Sequence, residues 1–122
     1  MKKNILILDD EPLILKYLSA LLQPHYNVFS FESPLEAIKL VDKNESIDFI
    51  LSDYLMKDIN GIDFLDFIIN KKYFNKPSER FIFMTAYEGN DIYHNLIKTG
   101  CRIVKKTNLD IEFIRDIFEE KI

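Results

Sequence analysis

Five short apolar runs constrain this chain more than any other feature: 5–8, 28–31, 47–51, 81–84 and 103–105, with the stretches between them carrying apolar residues at intervals of three and four. A strand buried on both faces reads as a near-continuous apolar run, and spacings of three and four mark one face of a helix. Strand then helix, repeated, folds as a parallel sheet covered on both sides and wound by right-handed crossovers. The expected fold class is therefore α/β, a doubly wound five-stranded parallel sheet with five helices. For such sheets the common strand order is 2-1-3-4-5, and ligands bind beyond the carboxyl ends of strands one and three, where the winding reverses.

The helices have readable starts and stops. The first is expected over 12–22, with Leu13, Tyr17 and Leu21 in one row and Leu15, Leu18 and Leu22 beside them; Pro12 falls where a missing N–H is harmless. Ser33-Pro34-Leu35-Glu36 opens the second: Ser33 can cap the first turn, and Glu36 can reach back to the Ser33 N–H, with an end near Lys43-Asn44. A third follows Gly61 and carries Ile62, Leu65, Ile68 and Ile69. The fourth is expected over about 91–99, closed by Gly100, and the fifth begins near 110 with Ile111, Ile114, Ile117 and Phe118 on one face. With no repeat, linker or low-complexity tract, residues 1–122 read as one domain.

Several function classes fall away on composition. A chain of 122 residues buries about two thirds of its unfolded surface, so a metal or disulfide is not needed to hold it together. No apolar run approaches the ~18 residues of a membrane span, and Lys2-Lys3 is followed by only five residues before Asp9, too few for a signal peptide. Cys101 has no second cysteine to pair with, which suits the cytoplasm. A formal charge of -4 argues against a nucleic-acid surface. Proteins, small phosphates and cations remain as partners.

The chemistry collects at strand ends. Asp9-Asp10-Glu11 follows the first run and Asp53 follows Phe49-Ile50-Leu51-Ser52, so parallel strands bring carboxylates to one edge of the sheet, where they want a cation. Thr85 ends the fourth strand, and Lys106 or its neighbour Lys105 follows the fifth. Carboxylates, cation, hydroxyl and ammonium are the parts of a phosphoryl-transfer site.

Asp9-Asp10, Asp53 in Asp53-Tyr54-Leu55-Met56, Gly61 eight residues later, Thr85-Ala86, Gly100 and the lysine after strand five together resemble the receiver domain of bacterial response regulators, chemotaxis-regulator-like and flavodoxin-like in fold. The resemblance implies that Asp53 accepts a phosphoryl group from a histidine kinase or a small phosphodonor. It implies Mg2+ (or Mn2+) bound directly by Asp10, Asp53 and the Leu55 carbonyl, with Asp9 acting mainly through a bound water. Lys106 would pair with the acyl phosphate, Thr85 would hydrogen-bond one of its oxygens, and Ala86 would leave it room. Partners would be a kinase or phosphotransfer protein, and a downstream protein on the face of helix four, strand five and helix five, with Arg102, Lys98, Tyr93 and Phe118 as candidates; phosphorylation can also drive a homodimer.

The chain departs from the family pattern in three places. Thr107 stands where receivers carry a proline after the lysine; a cis bond before a non-proline residue costs ~2.5 to 4 kcal/mol, so a trans bond with a reshaped loop or a strained cis bond is expected at Lys106-Thr107. Ile103 stands where receivers often carry an aromatic ring that swings inward, which shifts the expected transmission to the loop from Thr85 to Asn90, with Tyr87 and Gly89. Leu55 and Tyr87, two residues beyond Asp53 and Thr85, offer no amide or carboxylate to orient a water, so slow self-dephosphorylation is expected.

Plainer readings compete. Asp9 or Asp10 can be a helix cap, Glu11 a solvated first-turn acid, and Cys101 a small buried apolar residue; His25 and His94 carry no phosphohistidine or metal role. An alternative function is a phosphorylation-independent interaction module that keeps the fold and the acids. A haloacid-dehalogenase-like phosphatase would need an Asp where Glu11 stands, and a flavin carrier would need a hydroxyl- and glycine-rich loop where Asp9-Asp10-Glu11 stands.

Overall fold

The computed structural model describes residues 2–43, 46–56, 58–86 and 89–119. Strands β1 (Lys3–Leu8), β2 (Tyr26–Phe31), β3 (Phe49–Asp53), β4 (Phe81–Thr85) and β5 (Arg102–Lys105) form one parallel sheet in the order β2-β1-β3-β4-β5. The expected order is the observed one. The last four residues of β1 and all of β3 and β4 are buried, as strands covered on both faces must be.

Side chains alternate between two cores. Ile5, Ile7, Phe49, Leu51, Ile82, Met84 and Val104 meet Leu15, Leu18 and Leu22 of α1 (Pro12–Leu22) and Ile114 and Phe118 of α6 (Ile111–Glu119). Leu6, Leu8, Ile50, Phe81 and Phe83 meet α2 (Pro34–Asp42), α3 (Gly61–Asn70) and α5 (Asn90–Ile97) on the other face. Each strand thus feeds both cores, and the sheet is packed on both faces up to the carboxyl ends that carry the polar residues.

All five predicted helices are present, with one more. A single turn, α4 (Pro77–Arg80), opens on Pro77 before β4. Of the two apolar rows on α1, the Leu15 row faces the core, whereas Leu13 is 80% and Tyr17 51% exposed. Ile47 is buried but lies outside β3; its N–H donates to the phenol oxygen of Tyr73 at 2.9 Å. Ser33 Oγ accepts from the Leu35 N–H at the start of α2, and Glu36 pairs with Lys39. Phe118, a candidate for the docking face, is fully buried and stacks on Phe49 at 4.1 Å between ring centroids, so it belongs to the core. The Ile117 side chain and residue Tyr87 lie outside what the structure describes. No helix among the described residues is long and apolar enough to cross a membrane.

Candidate functional site

The polar residues at the carboxyl edge are held by the sheet itself. Leu8 of β1 is in register with Ser52 of β3, so the next residue on each strand, Asp9 and Asp53, stand side by side. Asp9 continues the ladder through its N–H to the Phe31 carbonyl at 3.2 Å, and its Oδ1 accepts from the Glu11 N–H at 2.9 Å, which turns the chain into α1. Asp9 is fully buried and Asp53 is 6% exposed. Asp9, Asp10 and Asp53 each offer a carboxylate oxygen, all within 4.8 Å of one another. Charged groups so closely placed and so poorly hydrated are not there for stability.

Gly61 keeps Asp53 in place from below. Its N–H donates to the Tyr54 carbonyl at 2.8 Å, and a Cβ here would sit 2.6 Å from the Asp53 carbonyl oxygen and 3.0 Å from the Phe83 ring. Only glycine lets α3 start this close to the strand end. Ser52 Oγ donates to the same Asp53 carbonyl at 2.9 Å.

Lys106 crosses to the acids from the far edge of the sheet. β5 ends at Lys105, and Lys106 begins a short 3-10 turn, Lys106–Asn108; the Lys106-Thr107 bond is trans. The reshaped loop is therefore the observed alternative of the two expected, and the lysine still points inward. Its Nζ donates to Asp53 Oδ2 at 3.1 Å and to Glu11 Oε1 at 3.1 Å, and lies 2.7 Å from Asp9 Oδ2. Lys105, the minor candidate, is exposed on β5.

Electrostatics follow from this crowding. Burial pushes the Asp53 carboxyl up to about 6, with the neighbouring charge of Asp9 adding to it and Lys106 opposing it. Burial also raises Asp9, against the pull of Lys106 and the Glu11 N–H. For Lys106 burial disfavours the charge, yet Asp9 and Asp53 outweigh it and hold the ammonium above its ordinary range. At neutral pH the ammonium is charged and Asp53 is mostly ionised.

A cation fits this donor set. Three carboxylates, of Asp9, Asp53 and Glu11, surround one ammonium with Asp10 beside them, and among the described residues no hydrogen-bond donor is aligned on the buried Asp9 Oδ2, which Lys106 meets as an ion pair. Oxygen donors of this type, with open sides for water and phosphate, suit Mg2+.

Thr85 ends β4, 6% exposed and in register with Lys105, while Ala86 beyond it is exposed. Leu55 stands two residues after Asp53 with its side chain 54% exposed at the rim. Tyr87, the other residue expected near a phosphate, lies outside the described residues. Ile103 is half-buried against the core beneath α5. Glu11, read from the sequence as a solvated first-turn acid, is instead paired with Lys106: an acid at the start of a helix looks the same whether it is solvated or paired with a lysine 95 residues away.

Comparison with known proteins agrees with the geometry. Residues 5–115 match the family described as response regulator receiver domain. A protein of Arabidopsis thaliana described as a two-component response regulator, ARR21, is 31% identical over 64 residues, 51% of this chain and 10% of that protein, so the chain spans about a tenth of its length. The Vibrio cholerae chemotaxis protein CheY4 superposes with a TM-score of 0.82 at 18% identity over 100% of both chains. The response regulator TrrA of Thermotoga maritima, solved in complex with Mg(2+)-BeF, gives 0.78 at 25% identity, over 98% of this chain and 99% of that one.

Proposed function

We propose that Asp53 is the phosphoacceptor of a two-component switch, from the premise that the chain belongs to the response regulator receiver domain family, which its residues 5–115 match. Such a domain is a signalling element that receives a phosphoryl group from a histidine kinase or phosphotransfer partner. The observation that carries the residue assignment is the Lys106 ammonium reaching from β5 across the sheet to Asp9 and Asp53, at the point where the winding reverses.

In this reading an Asp53 oxygen attacks phosphorus in line. The bond from phosphorus to the donor's imidazole nitrogen, or to the acyl oxygen of a small donor, breaks with its electron pair, and an aspartyl phosphate forms. Lys106 donates one N–H hydrogen bond to a phosphoryl oxygen, and the Thr85 hydroxyl donates a hydrogen bond to another. The Ala86 side chain is small enough to admit the group. Asp10, Asp53 and the Leu55 carbonyl would hold Mg2+ or Mn2+, with Asp9 helping through water, and the cation would neutralise phosphoryl charge. The closeness of Asp9, Asp10 and Asp53 supports that ligand set.

The switched face would be α5, β5 and α6, where Tyr93, Lys98 and Arg102 are exposed and Phe113, 39% exposed, takes the place considered for Phe118. A downstream protein or a second copy would dock there, in the cytoplasm. Leu55 at the rim, with Tyr87, would shield the aspartyl phosphate and slow its hydrolysis.

Intact mass after incubation with acetyl phosphate tests this. The expected result is a magnesium-dependent gain of one phosphoryl group, absent in Asp53→Asn, decaying slowly in the parent and faster in Leu55→Asn. No gain under any condition, with the histidine kinase supplied as well, would favour the phosphorylation-independent module.

A further inference from the structure

We propose that Glu11 is a displaceable latch on Lys106, a positioning residue that occupies the N–H a phosphoryl oxygen must take; the proposal rests on Asp53 being the phosphoacceptor. A lysine ammonium has three N–H groups, and here three carboxylates surround it: Asp9 at 2.7 Å, Asp53 at 3.1 Å and Glu11 at 3.1 Å. Two N–H groups are committed, to Asp53 and Glu11, and the third side of the ammonium faces the buried Asp9, so a phosphoryl oxygen arriving from the mouth meets Glu11 in its way. One carboxylate must give way when Asp53 is phosphorylated.

Burial decides which one leaves. The side chains of Asp9 and Asp53 are 0% and 8% exposed and fixed by the strands that carry them, so neither can turn to water. Glu11 is 58% exposed at the mouth of the site and stands at the N-cap of α1, just before Pro12, where its side chain caps nothing. Released, it is hydrated at once. Glu11 therefore closes the mouth side of the ammonium in the resting site, and the incoming phosphoryl oxygen takes its place.

The test uses Glu11→Gln and Glu11→Asp. Glutamine removes the charge; aspartate keeps it but is one methylene too short to reach Lys106, which separates the latch from simple repulsion of an anionic donor. Two readouts are taken with magnesium present: the rate of phosphorylation by acetyl phosphate and, without any reaction, the affinity for beryllofluoride followed by NMR. Both variants are expected to raise both quantities by about two- to fivefold, the size of a partly exposed ion pair, with melting temperatures near the parent's. Acceleration by glutamine alone would mean charge repulsion and overturn the latch, as would two variants equal to or slower than the parent. A parent that neither gains a phosphoryl group nor binds beryllofluoride would overturn the phosphoacceptor reading and the latch with it; a phosphorylated parent with silent variants overturns the latch alone.

Discussion

Asp53 sits in the folded chain at a cost in free energy. Its carboxyl is raised to about 6 from an ordinary 3.8, chiefly by burial and then by Asp9. Between those two values the folded state binds more protons than the unfolded chain, so the contribution of Asp53 to stability falls as pH rises through this window and is fully unfavourable above about 6. A shift of that size corresponds to at most about 3 kcal/mol. Asp53→Asn removes the charge and leaves Lys106 with Asp9 and Glu11, so the cation-free variant is expected to be more stable than the parent by about 1 to 3 kcal/mol at pH 7.5. The advantage shrinks as pH falls from 6 toward 4. Urea denaturation at pH 7.5 and pH 4.5 with a chelator present checks both the sign and the trend; a variant less stable than the parent at pH 7.5 refutes the account.

At the scale of elements, helix ends show how far a sequence can be read. Ser33-Pro34 announced α2 because a cap and an N1 proline are local chemistry, and Gly100, with φ 78, closes the α5 region as a left-handed glycine should. The end of α3 was not legible: Lys72 adopts φ 53 where glycine is usual, its N–H bonding the Ile69 carbonyl and the Tyr73 N–H bonding Ile68. Those two bonds are the Schellman pattern, imposed by the turn into Tyr73 and not by the residue that makes it. Lys72→Gly removes the left-handed strain, less the entropy glycine gains when unfolded, and is expected to stabilise by about 0.5 to 1 kcal/mol; a thermal midpoint at or below the parent's would contradict it. Ile47 was read into β3 for a similar reason: burial looks like strand in an apolar run, but its N–H goes to Tyr73 and not to the ladder. α4 escaped because four residues cannot display a period.

For the whole molecule, the parts of the site that were legible are those carried by strand ends: Asp9, Asp53 and Thr85 each follow a buried run, and a parallel sheet aligns such ends without further information. The resemblance carried Lys106 into the site and left its trans-bonded turn as one of two alternatives, but its pairing with Glu11 was not legible. The sheet, packed on both faces, supports a cluster of carboxylates with one ammonium among them, and that imbalance links the site to global stability. A cation that binds the folded cluster and not the unfolded chain stabilises by mass action, about 1.4 kcal/mol at ten times its dissociation constant, or roughly 4 to 7 °C for a domain of this size. Magnesium is therefore expected to raise the parent's melting temperature at pH 7.5 by that amount over a chelated sample. The rise should be largely lost in Asp53→Asn, which starts higher and lacks a ligand, and should fade near pH 5.5, where protons occupy Asp53 in place of the cation. An equal rise in parent and variant would mean that magnesium binds elsewhere, and the carboxyl edge of the sheet would no longer be the cation site.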